Sequence, residues 1–281
     1  CKKLFDKKMN WIMPVKGKNK TLIVAHRGAS YAAPENTIPS FELAFNENAD
    51  FIEGDFWLTK DNEIVCIHDP NTKRVTKEKI KLDVNSSTLN KLKKLDVGSW
   101  KADEFEGTNI PTIQEVLQVI PPGKGIFIEI KDEREIFLIR LSEILAQFPF
   151  HFEKIRIIAF NPDIVKLAKK YLPEIKAYWL FGWYFFKRKC FASIIQRKIM
   201  QTLKSLNCDG IDVNSALLID KTLVKSLRDY NLDFCTFDVD KLEEVIILLS
   251  FGINAITTNF PLMMRQKIEN YLFPDSLRTA K

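Results

Sequence analysis

Short runs of β-branched and aromatic residues alternate along the chain with segments whose apolar positions recur at helical spacing. The runs Thr21–Ala25, Asp50–Trp57, Gly125–Ile130, Lys154–Phe160, Ile175–Phe181, Cys208–Val213, Leu232–Phe237 and Ile253–Thr258 predict eight strands. Between them, Thr37–Asn48, Glu133–Gln147, Pro162–Leu172, Cys190–Leu206, Asp220–Tyr230, Lys241–Phe251 and Pro261–Tyr271 predict helices. Strict alternation implies parallel pairing through crossover helices, and eight such units close into an α/β fold, the (β/α)8 TIM barrel. The length of 281 residues suits one such domain, since a barrel of this kind takes about 250.

The alternation fails once. Residues Asp69–Pro111 are polar, lysine-rich and without clean periodicity, and they separate the second strand from the helix due after it. They predict a small insertion after the second strand, about 69–111, folded around Leu89–Leu95 and Trp100. A connection this long inside a compact domain is more often functional than idle. It also leaves on the face where barrel active sites form. The chain then divides into a basic leader over 1–20, the barrel domain over 21–272 and a tail over 273–281.

Ionisable residues collect at the predicted strand mouths. His26 and Arg27 follow directly on the first strand, and Pro34-Glu35-Asn36-Thr37 opens the next helix, with Asn36 or Thr37 as N-cap and Glu35 held near the same mouth. Glu53 and Asp55 end the second strand two residues apart, so they share a face. Like charges this close call for compensation, and a divalent cation with a preference for oxygen is the usual one. The apolar flanks Phe51, Ile52 and Phe56 conflict with a pair of ordinary surface acids. The run Ile64–Ile67 then delivers His68-Asp69, so two of the chain's three histidines flank the carboxylates, as acid–base catalysis beside a metal requires. The third, His151, sits between Phe150 and Phe152 and reads as structural. Glu129 and Lys131 end the third strand on one face. Glu129 can complete the oxygen set, and Lys131 with Arg27 suits a phosphate.

The ordered set His26-Arg27-Gly28, Pro34-Glu35-Asn36-Thr37, Ile52-Glu53-Gly54-Asp55, His68-Asp69 and Glu129-Ile130-Lys131 closely resembles the motifs of glycerophosphodiester phosphodiesterases. The likeness continues through Leu95–Trp100 and Ile110-Pro111-Thr112 to Phe260-Pro261, and covers roughly residues 20 to 265. It implies metal-dependent hydrolysis of glycerophosphodiesters to glycerol 3-phosphate and an alcohol. His26 and His68 would be the general acid–base pair, with Glu53, Asp55 and Glu129 binding Mg²⁺ or Ca²⁺. Two stretches depart from the family pattern. Cys235-Thr236-Phe237-Asp238 stands where Trp-Thr-Val-Asn is usual, and Thr257-Thr258-Asn259 where an Asp is common at the final position. The expectation is that an aromatic wall is lost at Cys235 and that both changes lie away from the metal and the histidines, bearing on substrate range.

The formal charge of +6 comes mostly from scattered lysines, a solvated surface with some attraction for anionic substrates or lipid headgroups. No helix-turn-helix, zinc-finger or RNA-binding signature accompanies it, so nucleic acid is not an expected partner. Five cysteines lie far apart with no CxxC pair, which argues against a disulfide framework or zinc ribbon and for a reducing, cytoplasmic compartment. Cys1-Lys2-Lys3 keeps open the alternative of a lipoprotein anchored through Cys1. The aromatic run Tyr178–Phe186, followed by Lys187-Arg188-Lys189, is either a core strand continuing into a buried loop or an apolar lip with a basic collar. Such a lip would admit an acyl chain or touch a membrane surface peripherally. It keeps open lysophospholipase D-like activity on lysolipids. A non-catalytic module binding glycerophosphodiesters gives no reason to keep two histidines and three carboxylates. A metal-dependent hydrolase of another barrel family would show His-x-His where His26-Arg27-Gly28 stands.

Overall fold

The computed structural model describes residues 21–148, 152–182, 192–214 and 219–272. Its strands are β1 (Leu22–Ala25), β2 (Phe51–Leu58), β3 (Ile64–Cys66), β4 (Gly125–Ile130), β5 (Ile155–Ala159), β6 (Lys176–Phe181), β7 (Gly210–Val213), β8 (Asp233–Thr236) and β9 (Ala255–Thr258). All but β3 run parallel in the order β1-β9-β8-β7-β6-β5-β4-β2, and β2 pairs back onto β1 to close the barrel. Crossover helices such as α1 (Ile38–Asn46) clothe the outside.

The strands read as continuous apolar runs because both faces are covered. β4, Gly-Ile-Phe-Ile-Glu-Ile, is buried at every position. Outward residues such as Ile23, Ile52, Ile126 and Ile128 pack with Phe41, Phe137 and Leu141 of the helices. Inward residues, among them Val24, Phe51, Phe127, Tyr178 and Cys235, fill the barrel itself. There Phe51 meets Phe127 edge-on at 5.6 Å.

The strand patterning placed Glu53 and Asp55 at the end of β2, but the strand runs on to Leu58. The reason is β3, which the pattern did not count among the strands. It folds back antiparallel, with Phe56 facing Cys66 and Leu58 facing Ile64, so the carboxylates sit in mid-strand. Beyond it, the insertion has a small core of its own, in which Val65 and Ile67 meet Val75, Val84, Leu92, Val97 and Ile110, with Trp100 packed against them.

Cys66, Cys208 and Cys235 are free and buried. Among the described residues, no helix is long and apolar enough to cross a membrane. The leader with Cys1, His151, the stretch Trp183–Lys189 and Cys190 lie outside the described residues.

Because the insertion carries its own core, Leu92→Ala should destabilise that unit by ~2–5 kcal/mol. Amide exchange should accelerate across the insertion and stay at parental rates in the barrel strands. Equal acceleration in both would show that the two open as one unit.

Candidate active site

The mouth of β1 is shaped by two residues in the left-handed region, Arg27 at φ 56° and Gly28 at φ 80°. A Cβ on Gly28 would fall 2.4 Å from Ser40 Oγ and 2.6 Å from the Ser40 carbonyl carbon, so only glycine lets the first turn of α1 seat against this loop. Ser40 Oγ donates to the Arg27 carbonyl at 3.0 Å, which ties the turn down. Non-glycine residues in this region are strained, and such strain concentrates at functional sites. Here the strained residue's own backbone N–H donates to Glu53 Oε2 at 2.9 Å.

The parallel register sets Asp55 of β2 beside Glu129 of β4, with Glu53 two residues before. One oxygen from each of the three lies within 4.8 Å of the others, and all three side chains are buried. Glu53 Oε1, Asp55 Oδ1 and Glu129 Oε1 receive no hydrogen bond. The last two have ion-pair contact with Lys131 Nζ, 3.1 Å from Asp55 Oδ1. Arg27 Nε stands 3.0 Å from Asp55 Oδ2. Asn36, one of the two N-cap candidates, is instead spent on Asp55: its Nδ2 donates to Oδ2 at 2.7 Å, and the Asp55 N–H donates to Asn36 Oδ1 at 3.2 Å. Thr37 is the N-cap.

Burial, reinforced by Asp55 and Glu129, pushes the Glu53 carboxyl well above its ordinary value. Burial and Asp55 also raise Glu129. Asp55 goes the other way: burial is opposed and outweighed by Lys131 and Arg27 with His68 and the Asn36 hydrogen bond. Three carboxylates thus face two cations, and the excess negative charge shifts two of the three, Glu53 and Glu129, toward the protonated form. Three converging carboxylates, with Glu53 Oε1 receiving no hydrogen bond and Asp55 Oδ1 and Glu129 Oε1 met by Lys131, are the donor set that a hard divalent cation takes, so the residues present fit such an ion.

His68 reaches this site through the β2–β3 hairpin. The Ile67 N–H donates to the Asp55 carbonyl at 2.8 Å, which sets the next residue level with the carboxylates. Trp57 Nε1 donates to the His68 carbonyl at 3.1 Å. His68 Nδ1 lies 2.6 Å from Asp69 Oδ1, and a carboxylate only accepts, so Nδ1 carries the proton and Nε2 is left for the site. Burial, assisted by Arg27 and Lys131 and opposed by Asp55, holds His68 below its ordinary pKa. Asp69 is gripped by Arg74, whose Nε donates to Oδ2 at 2.8 Å. The same guanidinium donates to Glu35 at 2.7 and 2.9 Å, and Glu35 accepts from Arg27 at 3.0 Å. An unbroken chain therefore joins His68 to Arg27 through Asp69, Arg74 and Glu35. Arg74 belongs to the insertion, and in sequence nothing set it apart from the lysines around it.

His26 Nδ1 lies 2.9 Å from Asn259 Oδ1 and 3.2 Å from Asp238 Oδ1. The departures at these two positions were expected to lie away from the histidines, and the structure corrects this. β9 pairs with β1 to close the barrel, and β8 is its other neighbour, so both strand ends arrive at His26. The loss of an aromatic wall is corrected too. Cys235 is 1% exposed, deep among the interior side chains. The mouth is walled by Phe237 and Phe160, edge-on at 5.9 Å, with Lys131 Nζ 5.8 Å from the Phe160 ring centre. All eight residues singled out in sequence, His26, Arg27, Glu35, Glu53, Asp55, His68, Glu129 and Lys131, thus belong to one network of contacts or adjoin it at the same barrel mouth.

The model of the glycerophosphoryl diester phosphodiesterase family matches residues 26–263. Bacillus subtilis YhdW is 32% identical over 241 residues, 85% of this chain and 94% of its own length. A glycerophosphodiester phosphodiesterase of Bacillus subtilis is 27% identical over 271 residues, 90% of this chain and 88% of its own. Among solved structures, a phosphodiesterase of Oleispira antarctica in complex with the product sn-glycerol-3-phosphate superposes with a TM-score of 0.76 at 26% identity, covering 88% of this chain and 96% of that one.

A buried acid whose oxygens lack hydrogen-bond partners was also missed in sequence. Asp212 of β7 is wholly buried and neither of its carboxyl oxygens has a hydrogen-bond partner. A lone acid inside the apolar run Gly-Ile-Asp-Val was the available signal. Burial, with Glu129 and Asp238 nearby, pushes its pKa well above the ordinary value. The fold therefore favours the neutral form. The penalty is absent below the unfolded pKa of about 4 and grows as pH rises above it. Asp212→Asn should raise Tm relative to the parent at pH 8, by at least about 2–4 °C if ~1 kcal/mol is recovered, and leave it nearly unchanged at pH 4. A shift of the same size at both pH values would contradict a buried neutral acid.

Proposed function

Since the chain belongs to the glycerophosphoryl diester phosphodiesterase family, a family of phosphoric diester hydrolases, we propose that it hydrolyses glycerophosphodiesters to sn-glycerol 3-phosphate and an alcohol, using Mg²⁺ or Ca²⁺ and two histidines. The observation that carries this reading is the convergence, at one barrel mouth, of three buried carboxylate oxygens within 4.8 Å with two imidazoles whose Nδ1 atoms are both tied to acceptors. The product bound to the Oleispira relative supports the choice of substrate.

Glu53, Asp55 and Glu129 would hold the ion. When bound, it supplies Lewis-acid polarisation of the phosphoryl oxygens. The protein's own part is proton transfer and charge complementarity. One Nε2 takes the proton of the attacking oxygen, from water or a substrate hydroxyl, and the other returns a proton to the departing alcohol. Arg27 and Lys131, already drawn to Asp55, face the phosphate and offset the charge that grows on it. Glu35 keeps the Arg27 guanidinium in place. The lysolipid alternative drew on Trp183–Lys189, which lie outside the described residues. A module that only bound the diester would have no use for two tethered bases.

Purified protein should release sn-glycerol 3-phosphate from sn-glycero-3-phosphocholine with Mg²⁺ or Ca²⁺, and cease to do so with chelator. His26→Ala and His68→Ala should each lower kcat by about 10²-fold or more, with KM little changed. Near-parental kcat in both variants would remove the histidines from the reaction.

A further inference from the structure

The ends of β8 and β9 take no part in the chemistry described above, yet they supply both partners of His26 Nδ1. Which atom of Asn259 faces the ring follows from its other contacts. Its Nδ2 donates to Asp240 Oδ2 at 3.1 Å, and its backbone N–H donates to Asp240 Oδ1 at 3.1 Å. Asp240 is itself held by Thr258 Oγ1, which donates at 2.7 Å. With Nδ2 committed to a carboxylate, Oδ1 is left for the ring, and Ser30 Oγ donates to that same oxygen at 3.0 Å. An amide oxygen accepts and never donates. The second partner, the Asp238 carboxylate, lies 3.2 Å from Nδ1 as an ion-pair contact and likewise only accepts, so the Asn259 bond requires a proton on Nδ1 and Asp238 favours it.

Asp238 also departs from ordinary backbone geometry, standing at φ 57° just past the end of β8. Aspartate and asparagine tolerate this region better than other non-glycine residues. Its side chain is 48% exposed, with Oδ1 turned toward His26 Nδ1. His26, by contrast, is largely enclosed, its side chain 15% exposed. Its ring is thus gripped through one nitrogen by two acceptors from two different strands.

We propose that Asp238 and Asn259 are positioning residues for His26, with Asp240 fixing Asn259 behind it. They hold the imidazole as the Nδ1–H tautomer and aim Nε2 at the reacting phosphodiester. This rests on His26 being a proton-transfer residue, as read above. The logic matches that of an acid that orients a catalytic histidine, where the wrong tautomer disables the base even though every atom stays in place. Here the duty is divided between a charged and a neutral acceptor, and each can partly cover for the other.

Asp238→Asn suits the left-handed backbone and keeps an acceptor, so it should lower kcat by about 10-fold with KM little changed. Asn259→Ala should do the same. The double variant leaves Nδ1 with at most a swivelling amide and should lose about 10³-fold, more than the product of the single effects, because the two acceptors back each other up. Nitrogen-15 NMR of the ring nitrogens gives a readout independent of turnover. With only three histidines in the chain, His26→Ala assigns the His26 signals. Neutral His26 should show the Nδ1–H pattern in the parent and shift toward Nε2–H in the double variant. A double variant with parental kcat, or one whose His26 stays Nδ1–H, would overturn the proposal. If His26→Ala kept full activity, the reading of His26 as catalytic would fail instead, and the tautomer pattern would still decide whether these residues hold the ring.

Discussion

Three carboxylates packed side by side inside a barrel repel one another, and the architecture of this mouth is arranged around that repulsion. The register of β2 against β4 forces the contact, setting Asp55 beside Glu129 with Glu53 on the same inner face. Arg27 and Lys131 answer part of the charge, Asn36 fixes Asp55, and a strained backbone turn directs the Arg27 N–H to Glu53. The balance is still one positive charge short of neutral, and a hard divalent ion would more than supply it. In the proposed reaction these same cations would receive the anionic diester.

The histidines are delivered by two different solutions. His68 comes by a local route, a short antiparallel hairpin that carries the chain back to the level of Asp55. It is then locked through Asp69 and Arg74, and Arg74 sits in an insertion with a core of its own. The insertion is thereby tied to His68 and, through Glu35, to Arg27. His26 comes by closure of the barrel, its partners lying at the ends of the last two strands. Its orientation depends on the whole barrel being shut, whereas that of His68 depends on one excursion.

Much of this was legible in the chain. The eight barrel strands stand within the apolar runs that predicted them or one residue beyond, because strands covered on both faces advertise themselves as unbroken hydrophobic stretches. The eight site residues could be read because ionisable groups ending or interrupting such runs are costly without a purpose. What escaped notice escaped for physical reasons. β3 is three residues long and too short for a period. Arg74 resembles its solvated neighbours until the fold shows its carboxylate partners. Asp238 and Asn259 gain meaning only when β9 returns to β1, a contact that spans 233 positions between His26 and Asn259.

The claim on which the account rests is that Glu53, Asp55 and Glu129 form one divalent-metal site. Calorimetric titration of metal-stripped protein with Mg²⁺ and Ca²⁺ tests it directly. The expected result is a single saturable site in the parent and none in a Glu53→Gln variant whose circular dichroism shows an unchanged fold. Binding of equal strength in parent and variant, or no binding in the parent, would contradict it.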